Sequence, residues 1–188
     1  MRAQILQTAT VQFVERGYDG VSMREIAEAC GITKAALYYH FAGKAELLAQ
    51  IFTDYLDQMA ELVEAGRARP GTVEERIRWL IGKIFELPVE QRAIIRLARH
   101  DVVRLNEDDR QSFGKAYSER FLQPLADLLA QGSASGELRP FDPNWALWVL
   151  LGMLYPFLAP PAAAVDARAV TELLDVFFHG TAAPASPR

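Results

Sequence analysis

Apolar residues recur at intervals of three and four along almost the whole chain. Ile5, Leu6, Ala9, Phe13 and Val14 fall on one face of a helix covering about residues 2 to 16, which stops at Gly17. Ser22-Met23-Arg24-Glu25 then reads as a capping box. The Ser22 hydroxyl is placed for the Glu25 amide, the Glu25 carboxylate reaches back, and Val21 and Ile26 flank them as a hydrophobic staple. The helix this opens runs through Ala27 and Cys30 to Gly31, which can take the left-handed conformation that ends a helix. Thr33 caps a third, short helix from Lys34 to about His40, with Ile32 and Leu37 in the staple positions.

A long fourth pattern starts near Gly43 and carries Leu47, Leu48, Ile51, Phe52, Tyr55, Leu56, Met59, Leu62 and Val63, ending in Gly66-Arg67-Ala68-Arg69-Pro70-Gly71. Thr72 and Glu75 make a second capping box. The helix behind it has Ile77, Leu80, Ile81, Ile84 and Phe85 on one face and is interrupted at Pro88. Further helices are predicted over about 89 to 105, 107 to 131, 143 to 158 and 167 to 179. No segment alternates as a strand over any length, so the class is all-α, with about nine helices. The organisation expected is a three-helix N-terminal domain over 1–48, joined by the long fourth helix to a larger helical bundle over 49–180, with 181–188 as a disordered tail.

Composition narrows the classes. With 51% hydrophobic and 23% charged residues over 188 positions, the chain is neither disordered nor collagenous. A single cysteine, Cys30, excludes an internal disulfide framework and any zinc site built from several thiolates, and fits a reducing compartment. Charges scattered through the first thirty residues leave no apolar core for a signal peptide, so a cytoplasmic location is expected. The uncharged stretch from Pro143 to Val165 has too short an apolar run, Trp145 to Tyr155, to cross a bilayer, and no membrane partner is expected. The net charge of −4 argues against nucleic acid as a partner, but its distribution reverses that. Residues 1–48 hold five basic and five acidic side chains, and the window from Gly31 to Ala45 has Lys34, His40 and Lys44 with no acid at all.

Two capped helices joined through Gly31-Ile32 describe a helix-turn-helix, which places the start of its second helix in the DNA major groove. Lys34 is a donor to phosphates or guanine edges, Thr33 offers a hydroxyl, and Ala35 permits close approach. Tyr38, Tyr39 and His40 add further donors, and Lys44 would meet the flanking backbone. The competing reading is a packing unit with solvated lysines and core tyrosines.

The run from Ala9 to Ile51 resembles the DNA-binding region of the TetR family. The residues that carry the likeness are Phe13, Gly17-Tyr18, Ser22-Met23-Arg24-Glu25-Ile26-Ala27, Gly31-Ile32-Thr33-Lys34, Leu37-Tyr38-Tyr39-His40-Phe41 and Lys44-Ala45-Glu46-Leu47-Leu48. The resemblance implies a homodimeric bacterial transcriptional regulator, usually a repressor, whose later helices hold an inducer. Carried over by position, it implies that Ser22, Thr33, Tyr39 and Lys44 contact phosphates and that Lys34, Ala35 and Tyr38 lie near base edges, with His40 at the margin. Ala42-Gly43 departs from the family, which often has a polar or proline helix cap there.

In the larger region the expected effector-binding residues are Trp79, Phe113, Tyr117 and Trp145, with Arg96, Arg99 and His100 as polar partners. For each aromatic the competing reading is simple core, and for the arginines a solvated face near Asp101. The last two helices, with Trp148, Leu151, Leu154, Leu173, Leu174, Phe177 and Phe178, are more apolar than a lone domain needs and are the expected dimer interface. Two other classes compete. One is a constitutive helix-turn-helix DNA binder whose large domain only dimerises, and the other is a helical enzyme. The enzyme reading finds little support: Gly132-Ser133-Ala134-Ser135-Gly136 has alanine where a nucleophile elbow needs serine, and no phosphate-loop spacing or metal-binding histidine pair occurs. No catalytic residue, cofactor or metal is expected.

Overall fold

The computed structural model describes residues 1–158 and 167–180; the tail expected at 181–188 lies outside the described residues. Among the described residues every regular element is helical: α1 (Arg2–Arg16), α2 (Met23–Ala29), α3 (Lys34–His40), α4 (Lys44–Ala68), α5 (Val73–Glu86), α6 (Val89–Arg92), α7 (Ile94–Asp101), α8 (Glu107–Tyr117), α9 (Gln123–Ala134), α10 (Pro143–Leu154) and α11 (Ala167–His179). With α6 and α7 taken as one bent rod and α8 and α9 as another, these make nine rods.

Local chemistry explains the first three helices. Ile5, Ala9, Phe13 and Val14 are the buried stripe of α1. The Ser22–Glu25 capping box forms, with the Glu25 amide 3.2 Å from Ser22 Oγ and the Ser22 amide 2.8 Å from Glu25 Oε2. Gly31, at φ 68°, turns the chain out of α2 so that the Ile32 amide bonds back to the Ala27 carbonyl at 3.0 Å. Thr33 Oγ1 accepts the Ala36 amide at 3.1 Å and starts α3.

α4 has 25 residues, about 37 Å of helix at the usual rise, and runs across residue 48 without a break. Its N-cap, Gly43, supplies no side chain. Glu46 takes over part of that work by accepting the Ala42 amide at 2.5 Å. At its other end, a Cβ on Gly66 would stand 3.3 Å from the Leu80 Cβ, so glycine lets α4 and α5 approach closely there. The α8–α9 rod contains a π turn over Ser118–Leu122. Pro124 follows it, lacks the amide that would bond Arg120, and presses its ring toward that carbonyl, which accounts for the widened turn.

One continuous core runs from Ile5 to Leu174, and no polar or charged residue among those described is buried in it. Polar ties join its parts. Arg96 donates to the Val14 carbonyl at 2.7 Å, and Arg104 pairs with Asp19, holding α1 and its following turn to α7. Arg120 in the π turn pairs with Asp57 of α4 at 2.6 Å. Arg78 of α5 pairs with Asp175 of α11 at 2.5 Å.

Candidate DNA-reading surface and effector cavity

Only Leu37 of α3 is buried; Thr33, Lys34, Ala35, Ala36, Tyr38 and Tyr39 all face solvent. Tyr39 is 87% exposed, which the protein alone gives no reason for in so large an aromatic residue. Lys34 Nζ lies 5.5 Å from the Tyr38 ring centroid, and the half-buried His40 meets the Tyr39 ring edge-on at 5.3 Å. The result is a cationic and aromatic surface whose polar atoms are free to meet an outside partner. Thr33 belongs to it, because its hydroxyl oxygen accepts the cap bond while its proton is spent on no hydrogen bond among the described residues.

Ser22 and Lys44 stand differently from the expectation that they contact phosphates. The Ser22 hydroxyl donates its one proton to Glu25 Oε2 at 2.6 Å. Lys44 Nζ donates to the carbonyls of Tyr18 and Val21, both at 2.8 Å, and sits 4.1 Å from the Tyr18 ring centroid. Two of the three ammonium protons are thus bonded inside the protein, and Lys44 pins α4 to the α1–α2 turn. Glu25, bonded first by Ser22 and then by Arg16, is held well below the ordinary carboxylate range, at about 2.

The body holds a nearly closed apolar chamber of about 20 Å³, room for little more than a water molecule. Its walls come from α4 (Tyr55, Met59), α5 (Ile81, Ile84, Phe85), α7 (Ile95), the α8–π turn (Tyr117, Phe121) and the end of α10 with its following turn (Leu151, Leu154, Tyr155, Leu158). Outside it lies an open chamber of about 350 Å³ bounded by α7, α8 and α10, with Arg99, Arg110, Phe113 and Trp148 on its walls. Tyr117 and Tyr155 border both chambers, and their hydroxyls are bonded to each other at 2.9 Å. Burial raises the pKa of both phenols and of Tyr55, keeping all three neutral. The rings of Phe113, Tyr117 and Phe121 stack in series, and Phe113 also meets Phe52 of α4 at 5.3 Å.

Of the expected effector residues, Phe113, Tyr117 and Arg99 line these chambers and the others do not. Trp79 is half-buried beneath the Arg69 guanidinium, 4.6 Å from its ring centroid, at the α4–α5 crossing. Trp145 is 72% exposed on the outer face of α10. Arg96 and His100 border a separate hollow of about 300 Å³ against the end of α1, because their side of α7 faces α1. The sequence reading missed Tyr155, Arg110 and the apolar walls from α4 and α5, which are set by how helices distant in sequence cross. Among the expected interface residues, Leu151, Leu154 and Leu174 point into the protomer's own core, at 3%, 3% and 2% exposure, so they cannot meet a partner. Trp148 is exposed, and Leu173, Phe177 and Phe178 are half-buried. The large apolar side chains that these two helices expose are instead Trp145, Trp148 and Val149 of α10 and Val176 of α11.

Known proteins can now be set beside this geometry. The profile of the bacterial regulatory proteins of the tetR family matches residues 5–51, the span of α1 to the first turns of α4. Beyond that span, a TetR/AcrR-family transcriptional regulator from Thermobifida fusca superposes with a TM-score of 0.71 at 30% identity, covering 97% of this chain and 98% of that one. The chain belongs to the TetR family. Other TetR-type relatives extend the likeness. The transcriptional repressor KstR2 of Mycobacterium tuberculosis is 29% identical over 143 residues, 74% of this chain and 70% of its own length. AibR, solved with isovaleryl coenzyme A and operator DNA, is 27% identical with a TM-score of 0.80, covering 94% of this chain and 97% of AibR. Among the described residues, no helix of this TetR-family protein is long and apolar enough to cross a membrane.

Proposed function

We propose that this TetR-family protein is a cytoplasmic, ligand-responsive repressor. In this reading it binds a palindromic operator as a homodimer and is released when a small hydrophobic or aromatic effector enters its body. The observation that carries the reading is the double role of α4. Its first turn anchors the helix-turn-helix through Lys44, and three to four turns later Tyr55 and Met59 wall the inner chamber. An effector that swells the chamber presses on α4 through Tyr55 and Met59, and through Phe121 on the π turn tied to α4 by Arg120 and Asp57. Meanwhile Arg96 fastens α7 to α1, and Arg104 fastens the turn after α7 to the turn after α1. A tenfold loss of DNA affinity requires only about 1.4 kcal/mol of differential effector binding. AibR, which is bound in its structure both to an acyl thioester and to operator DNA, supports pairing these two activities on this fold.

Residues 1–48 are read as the DNA-binding domain and 49–180 as the effector-binding and dimerisation domain. Thr33, Lys34, Ala35, Tyr38, Tyr39 and His40 are assigned to DNA contact, with Ser22 and Lys44 positioning them. The dimer face is assigned to Trp145, Trp148, Val149 and Val176, joined by half-buried Phe177 and Phe178. Two recognition helices would then reach half-sites about 34–36 Å apart, or somewhat more.

Selection of random duplex DNA on the purified protein, followed by salt titration of the enriched sequence, tests this. The expected result is a two-fold symmetric site whose affinity falls steeply with salt. Recovery of no preferred sequence would overturn the reading.

A further inference from the structure

The two chambers differ in the chemistry they offer. Among the described residues the polar side-chain groups that line the inner one are tyrosine hydroxyls, and those of Tyr117 and Tyr155 already satisfy each other, so it suits an apolar occupant. The charged side chains on the outer chamber are Arg99 and Arg110, with no carboxylate among its lining residues. In a chain of net charge −4 that local excess is selective. Arg99 has no carboxylate partner among the described residues. Its guanidinium rests on the Tyr155 ring, 4.9 Å from the centroid, on the ring that closes the inner chamber. Arg110 is held by Glu107 on its own helix, and Glu107 does not reach the chamber. The larger groove between α1 and α4 has the opposite character, with Asp54, Glu90 and three glutamines on its walls.

We propose that the effector is an amphipathic anion whose acidic head binds Arg99 and Arg110 in the outer chamber and whose apolar tail passes the Tyr117–Tyr155 pair into the inner one. This names the ligand class for the regulator reading above and rests on that reading for the consequence of binding. The arginine fork suits a carboxylate or a phosphate equally. The head is therefore either the carboxylate of a free acid or the phosphates of a carrier to which the acid is esterified. The inner chamber is nearly closed, so the tail must part the two phenols, and each occupant displaces Arg99 from the Tyr155 ring toward the anion. The chamber as it stands holds little more than a water, so the tail must also spread its apolar walls, and each methylene buried strengthens binding about fourfold for as long as those walls give way.

The test is calorimetric titration and thermal melting of the full chain, without DNA, using butanoate, octanoate, dodecanoate, octanoyl-coenzyme A, octan-1-ol and octylammonium. Octanoate or octanoyl-coenzyme A is expected to bind at least tenfold more tightly than octan-1-ol, with octylammonium weakest. Whichever of the two anions binds more tightly identifies the source of the head. Arg99→Gln should cost the anion about tenfold, leave octan-1-ol unchanged, and be rescued in part by Arg99→Lys. Its melting temperature without ligand should not move, because Arg99 is exposed. Equal binding of octan-1-ol and octanoate, unchanged anion affinity in Arg99→Gln, or binding by none of the anions would each overturn the proposal. Anion binding that leaves the selected DNA complex intact would instead sustain the ligand class and overturn the regulator reading.

Discussion

The two ends of α4 use their side chains in opposite ways. Around its N-terminus, α3 buries one residue and exposes Thr33, Lys34, Ala35, Ala36, Tyr38 and Tyr39. Further along, Tyr55 and Met59 are 7% and 2% exposed and serve the core and the cavity wall together. Recognition chemistry at the first end therefore sits on positions that the fold does not need. At the second end, folding and ligand binding draw on the same atoms. Substitutions should separate stability from function near α3 and fail to separate them around the chamber.

The strongest break of that contrast comes from two neighbours on α3. Leu37→Ala removes a fully buried side chain, expected to cost about 2–5 kcal/mol and to abolish DNA binding through loss of the fold. Tyr39→Ala, at 87% exposure, should stay within about 0.5 kcal/mol of the parent in thermal unfolding while weakening DNA binding markedly. Equal destabilisation by the two would mean that the exposed tyrosine is structural after all.

This contrast also decides what was legible in the sequence. The capping boxes at Ser22 and Thr72, the Gly31 turn and the π-free helices announce themselves because local chemistry within four residues produces them. The reading surface is legible for a related reason: with α2 and α3 placed, the residues left off the buried stripe of α3 are the ones available to DNA. The cavity is not, since Tyr117 and Tyr155 lie 38 residues apart and meet only because α10 packs along α9 and so brings the turn after α10 back to the end of α8. Periodicity likewise marks α10 as apolar without telling its two faces apart, so it groups Leu151 and Leu154 with Trp148 although those leucines are buried and Trp148 is exposed. At Lys44 the family resemblance implies a phosphate contact, and the geometry adds what residue position does not show, two bonds that pin the backbone of the preceding turn.

Lys44 and Lys34 sharpen the comparison at smaller cost. Lys44→Ala leaves the Tyr18 and Val21 carbonyls without their donor, and a loss of about 1–3 kcal/mol in stability is expected. DNA affinity should fall with it, but if Lys44 acts only as this pin the slope of log affinity against log salt should not change. Lys34→Ala should do the reverse: little change in unfolding, and a salt slope smaller by about one. A reduced slope for Lys44→Ala would return that lysine to the phosphate backbone.

The smallest expected effect separates the two ends by pH. The Ser22 hydroxyl, then the Arg16 guanidinium, lowers the Glu25 carboxyl to about 2, whereas the chamber tyrosines are raised by burial and titrate only in alkali. A lowered carboxylate pKa stabilises the fold at pH values above the group's unfolded value, and the contribution is lost as pH falls through its folded value. Acid should accordingly loosen the start of α2 without touching the Tyr117–Tyr155 pair. Glu25→Gln keeps the shape of the capping residue and removes the charge, so its melting temperature should lie slightly below the parent's from pH 7 down to about pH 5. The gap should close between about pH 5 and pH 2 as the parent's carboxylate protonates. Because Glu25 faces solvent and its partners are screened, the gap itself should be small, and its closure with acid is the diagnostic feature. A gap that persists unchanged at pH 2 would show that the carboxylate's charge contributes nothing and that the capping geometry alone holds the helix-turn-helix in place.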